Sequence, residues 1–204
     1  QAVLRPLVDA GAADSATLSL LGQAAAMKGD HKAADENFAK AAKLKPDDKR
    51  IRAAQALGQL ARGNADAAFA ELETIAAADA GTGVDLAIIS AHLRRKEVDK
   101  ALKAIDALEK KQPDSPVPAN LRGRVQLAQK DLPAARRSFE LALSRDAKYL
   151  PAATALAAMD LADKRPDEAK ARFQSVLKAD KKNAQAMLAM AELEVRTGGA
   201  SDQA

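Results

Sequence analysis

Leu18-x2-Leu21-Gly22-x2-Ala25, a Gly29-Asp30 break, then Ala34-x3-Phe38, Ala41 and Pro46: residues 18–46 decide the fold. Each half spaces its apolar and small residues by three or four, the signature of one buried helix face. Gly29 suits the C-terminal cap of the first helix, and Pro46 closes the second. The alanine that opens the second phrase then recurs. Ala34, Ala68, Ala101, Ala135, Ala169 and Ala204 are separated by 34, 33, 34, 34 and 35 residues. A period near 34 residues with Ala-x3-Phe inside it marks a helix–turn–helix array, whose units bury their apolar faces by stacking on neighbours.

Composition agrees. The 204 residues are 48% hydrophobic and 29% charged, which is globular rather than disordered. Aromatics are 2%, so Ala and Leu supply most of the apolar share, and these favour helix over strand. The 32 basic and 28 acidic side chains leave a net charge of +4 with the signs interleaved, as in Asp47-Asp48-Lys49-Arg50. That pattern reads as a solvated helical surface; a nucleic-acid platform needs a one-sided basic stripe or stacking aromatics. There is no Cys, which excludes a disulfide framework. No apolar run approaches the roughly 18 residues of a membrane span. Gln1 is not a start residue, so the chain reads as a segment of a longer protein.

The phrase at 18–46 resembles the tetratricopeptide (TPR) repeat, with Leu18 where that repeat carries Trp and Ala25 where it carries Tyr. The resemblance implies an all-α, right-handed superhelical solenoid spanning 1–204. Repeats are expected at 15–48, 49–81, 82–114, 115–148 and 149–182, with a tail of a preceding repeat at 1–14 and a partial repeat at 183–204. The first helix of the second repeat, from Ile51 to Ala61, drifts by one residue, and its inner face stays open. Small residues recur where paired helices approach: Gly22 with Ala34, Ala56 with Ala68, Gly123 with Ala135, Ala157 with Ala169. Ile89 breaks the rule opposite Ala101. Pro46 and Pro113 follow second helices, Pro151 and Pro166 sit in first turns, and Pro6 falls inside the fragmentary first helix.

Catalytic patterns are missing: no HExxH, phosphate-binding loop or GxSxG occurs. The expectation is a non-enzyme with no cofactor and no metal. His31 reads as a solvated turn residue, and His92 as a histidine packed in the helix-pair core and bonded to a polar neighbour. Asp and Glu read as solvent-facing. Met27, Met159, Met187 and Met190 read as gap-filling core residues, with a Met-lined groove as the minority reading.

In the usual geometry of the repeat, first helices line a concave side. The inward positions here are Ser19, Gln23 and Met27; Leu86, Ser90 and Arg94; Asn120, Arg124 and Leu127; and Leu188, Glu192 and Arg196. A protein or peptide ligand is expected there. Asn120 and Arg124 lie one turn apart, so both can reach one carboxylate or backbone segment. Ser19 and Gln23 stand where chaperone-binding TPR domains carry the Lys and Asn that grip a C-terminal carboxylate, so that clamp is not reproduced.

A closer resemblance covers the last two-thirds. Asn120-Leu-Arg-Gly-Arg-Val-Gln-Leu-Ala, with the residues after it to Leu143, is similar to the bacterial PEP-CTERM system TPR-repeat lipoproteins, as are Tyr149–Asp160 and Asn183–Leu193. That resemblance implies a lipid-anchored envelope protein of a Gram-negative bacterium, periplasmic or at the outer membrane, linked to exopolysaccharide production and protein sorting. The expected function is a protein–protein interaction scaffold. The alternatives are a regulatory or substrate-recruiting arm of a larger glycosyltransferase-type enzyme, and direct polysaccharide binding, for which Tyr149 alone offers an aromatic platform. Truncated ends also predict head-to-tail self-association.

Overall fold

The computed structural model describes residues 14–78 and 82–198. Expectations for the 1–14 tail apart from residue 14, Pro6 among them, and for Gly199 to Ala204 lie outside the described residues. Eleven helices and no strand occur among those described: α1 (Ser15–Met27), α2 (His31–Leu44), α3 (Lys49–Ala61), α4 (Ala65–Ala77), α5 (Gly83–Arg94), α6 (Val98–Lys111), α7 (Pro116–Ala128), α8 (Leu132–Arg145), α9 (Leu150–Ala162), α10 (Pro166–Ala179) and α11 (Ala184–Gly198). The chain divides into two compact units, Gln1–Lys96 and Glu97–Ala204. In the first, α1 to α5 pack each on the next, and α1 also touches α3; in the second, α6 to α11 do the same, and α9 also touches α11.

Local sequence sets the helix ends. The carboxylates of Asp14, Asp30, Asp48 and Asp131 accept hydrogen bonds from the backbone N–H groups of Thr17, Ala33, Arg50 and Ala134, at 2.8, 3.0, 2.9 and 3.1 Å. Each satisfies one of the donors a helix start leaves open. Pro116 and Pro166 occupy first turns, where the missing N–H costs nothing. Five of the turns between consecutive helices share one device, a single residue in the left-handed region: Gly29 (φ 76°), Gly63 (φ 94°), Lys96 (φ 60°), Lys130 (φ 63°) and Lys164 (φ 60°). The first two supply glycine, which takes that conformation freely; the lysines accept strain there.

The second helices carry the core. Ala34, Phe38 and Ala41 are buried, as are Ala68, Leu72 and Ile75, then Ala101, Ile105 and Leu108, then Ala135, Phe139 and Ala142, then Ala169, Phe173 and Val176. Burying each of the larger side chains contributes roughly 1.5–3 kcal/mol. The glycines of the first helices answer to these rings. A Cβ at Gly22 would lie 2.7 Å from the nearest atom of Phe38, and one at Gly123 would lie 2.7 Å from Phe139. The nearest neighbours are therefore the phenylalanine rings rather than the expected alanines Ala34 and Ala135. The aromatic ring fills the space that a first-helix side chain would need.

The drift in α3 also has a cause. Arg52 stands where the first repeat has Leu18, and its Nε donates to Glu71 Oε1 at 2.7 Å. Ile51, one residue earlier, takes the apolar role and packs with Leu18 and Ala41. Among the methionines, Met159 is buried, but Met27 is 90% exposed and Met187 is also exposed. Those two are not gap-fillers: their side chains face away from the buried core.

Candidate functional site

Adjacent first helices α3 and α5 enclose a groove of about 630 Å³ in the first unit, lined by Leu57, Leu60, Leu86, Ala87, Ser90, Ala91, Arg94 and Arg95. Leu86, Ser90 and Arg94 recur every fourth residue and so share one face of α5. Leu86 is half-buried at the floor; Ser90 and Arg94 are exposed. The sequence placed these three on one surface. It missed Leu57 and Leu60, because the Arg52–Ile51 exchange hid the register of α3.

In the second unit, Asn120 and Arg124 part ways. Arg124 is exposed, but Asn120 is only 5% exposed, and its Oδ1 is buried with no hydrogen-bond partner. It is not the surface residue the helical pattern suggested: it sits beside Ala119 and Pro118, both also buried. Arg124 lies near Tyr149, whose hydroxyl is pushed above its usual value by burial, with the Arg124 charge pulling the other way. Leu127 lines a second groove, of about 510 Å³, with Leu132, Pro133, Arg136, Ala155, Ala158, Met159, Ala162 and Asp163. Neither groove includes Ser19, Gln23 or Met27 of α1, nor Leu188, Glu192 or Arg196 of α11. Ser19 is half-buried and the other five are exposed.

Beside the second groove lies an ion cluster the sequence did not announce. Asp160 is 0% exposed, which corrects its reading as a solvent-facing carboxylate; Asp85 is buried as well. Arg136 Nη1 donates to Asp160 Oδ1 at 2.5 Å, Arg165 Nη2 to the same oxygen at 3.2 Å, and Arg172 Nε to Asp160 Oδ2 at 2.9 Å. Arg136 and Arg165 also donate to Asp163, at 2.9 and 2.6 Å. Burial alone would raise the Asp160 pKa; the Arg136 and Arg172 hydrogen bonds outweigh it and hold the carboxyl below its usual range. A usable signal was present: Asp160 sits where the repeat usually places a buried Tyr, and Arg136 directly follows the marker Ala135. These charges are tied to one another, so the cluster is built for joining α8, α9 and α10 rather than for proton transfer.

His92 is buried and its ring stacks on Phe69, centroids 4.0 Å apart and planes 6° from parallel. Among the described residues, no group of three or more His, Asp or Glu is placed to hold a metal ion, and no helix is long and apolar enough to cross a membrane.

Helices that pack in chain order within each unit, with turns at one left-handed residue and Ala-led second helices, find their counterparts among solved structures. A thermophilic TPR protein of Thermus thermophilus superposes with a TM-score of 0.55 at 23% identity, covering 89% of this chain and 99% of that one. This chain has the tetratricopeptide fold. The TPR likeness extends to pilF of Pseudomonas aeruginosa (TM-score 0.59, 18% identity, 90% of this chain and 84% of that one). It extends also to yeast Tom70 (TM-score 0.68, 17% identity), where 95% of this chain matches 42% of the longer protein. At these identities the likeness carries the TPR fold and not a shared role. No protein-family model and no curated protein matches the sequence.

Proposed function

We propose that this chain is a non-enzymatic scaffold that binds a segment of another protein along its first helices. The groove between α3 and α5 carries the reading. It is open, formed by consecutive repeats, and floored by aliphatic side chains, and its volume falls within the roughly 300–1,000 Å³ of ordinary ligand clefts. Ser90 and Arg94 at its edge supply the few polar groups that fix the orientation of a bound chain. The finer assignment is the organisation of cell-envelope proteins linked to exopolysaccharide production or PEP-CTERM protein sorting, at the periplasm or outer membrane. It is supported by the resemblance of residues 120–193 to that lipoprotein group. Capture of partners from bacterial envelopes tests it, comparing the wild-type chain with Leu86→Glu and Leu57→Glu. The expected outcome is loss of the captured proteins from both variants while their circular dichroism stays helical. Undiminished capture by both would remove the groove as the binding surface.

A further inference from the structure

We propose that the groove between α3 and α5 takes an acidic segment of a partner protein that carries a bulky apolar anchor, an inference that rests on the scaffold reading above. The floor offers Leu57, Leu60, Leu86, Ala87 and Ala91, aliphatic carbon into which one large apolar side chain can settle. The lining holds no aromatic face for a base or a sugar ring to stack on. Of the side chains that line this groove, the charged ones are Arg94 and Arg95, and none is a carboxylate. They stand in the last turn and C-cap of α5, and Lys96 follows them.

The second groove supplies the internal control. Its Arg136 is bonded to Asp160 and Asp163, and Asp163 itself lines the pocket, so the field there is neutralised inside the chain. Arg94 is exposed at the edge of the first groove and presents its guanidinium fork to whatever settles on the floor. Complementary potentials mainly set specificity and encounter rate, so the acidic residues would select the partner while the apolar anchor holds it.

Fluorescein-labelled peptides of a dozen residues, acetylated and amidated, test this against the full chain by anisotropy. One carries two central Leu and four Glu; the others replace Glu by Gln, Glu by Lys, or Leu by Ser. The expected result is that the Glu peptide binds about tenfold tighter than the Gln peptide. That advantage should shrink when salt rises from about 50 to about 500 mM, because screening shortens the reach of exposed charges. Arg94→Glu should reverse the preference toward the Lys peptide, and the Ser peptide should bind to neither protein. Equal affinity for the Glu and Gln peptides, or an unchanged preference in Arg94→Glu, overturns the acidic partner and leaves the scaffold reading standing. Failure of every peptide, together with partner capture that ignores Leu57→Glu and Leu86→Glu, removes the groove altogether.

Discussion

In four of the repeats the residue after the period-marking alanine reaches a group of the following hairpin or helix, and two of these joints, one in each unit, differ in chemistry. In the first unit Phe69 stacks on His92. In the second Arg136 bonds Asp160. His92 and Asp160 hold the same place in their repeats, near the end of a first helix. Stacked rings contribute about 0.5–1.5 kcal/mol beyond the area they bury and tolerate small shifts. A buried carboxylate must recover a large desolvation penalty from well-placed partners, so it is stable only when the whole set is present. One packing geometry thus supports a forgiving joint and a stringent one.

Removing Asp160 should have the largest effect. Asp160→Ala removes the buried carboxylate that Arg136, Arg165 and Arg172 share, leaving Asp163 as the partner of Arg136 and Arg165, and should cost about 3–5 kcal/mol. Denaturant unfolding measures the total, and amide exchange should place the loosening in α8 to α10 and not in α1 to α5. A loss below about 1 kcal/mol would mean that the guanidinium groups find water as readily as they find the carboxylate.

The glycines test what the two units share. Gly22→Ala and Gly123→Ala each push a methyl group against a phenylalanine ring, and each should cost about 1–3 kcal/mol. Unequal costs would show that one ring can give way and the other cannot.

Acid should separate the units in a predictable direction. The folded pKa of Asp160 lies below its unfolded value of about 3.9. Its contribution to stability is therefore complete above about pH 4 and is lost as the pH falls through the lower folded value. The stability gap between wild type and Asp160→Ala should be constant from about pH 7 to about pH 5 and close below about pH 4. A gap that widened on acidification would contradict the assigned direction.

The smallest effects belong to the turns. Gly63→Ala should lose about 1 kcal/mol, and Lys130→Gly should change stability by less than that, since relief of left-handed strain offsets the added freedom of the unfolded chain. Thermal midpoints of the two variants distinguish these outcomes.

Much of this was legible from residue identities. The period, the Ala-x3-Phe phrase and the Gly29 turn depend on local spacing, and local spacing survives in one dimension. Leu86, Ser90 and Arg94 were likewise readable as one face of α5. Leu57 and Leu60 were not, because Arg52 displaced the apolar pattern of α3 by one residue. Asp160 was hidden for a different reason. Its environment is made by arginines 24 residues before it and 12 after it, and a carboxylate on a helix ordinarily faces water. Asn120 misleads in the reverse sense: a place in the inward row marks its polar side chain as available, and burial beside Ala119 withholds it.

The residues after the marker alanines have one more consequence. Asp35 meets Arg62, Phe69 meets His92, Arg136 meets Asp160, and Lys170 meets Glu194. No two of these joints present the same lock and key. Exchanging the first two joints would set aspartate against histidine and phenylalanine against arginine, whereas the last two joints each set a cation against a carboxylate. Identical building blocks could slip past one another during folding; the seams of the first unit differ in kind, so the order of its repeats is written into the joints themselves.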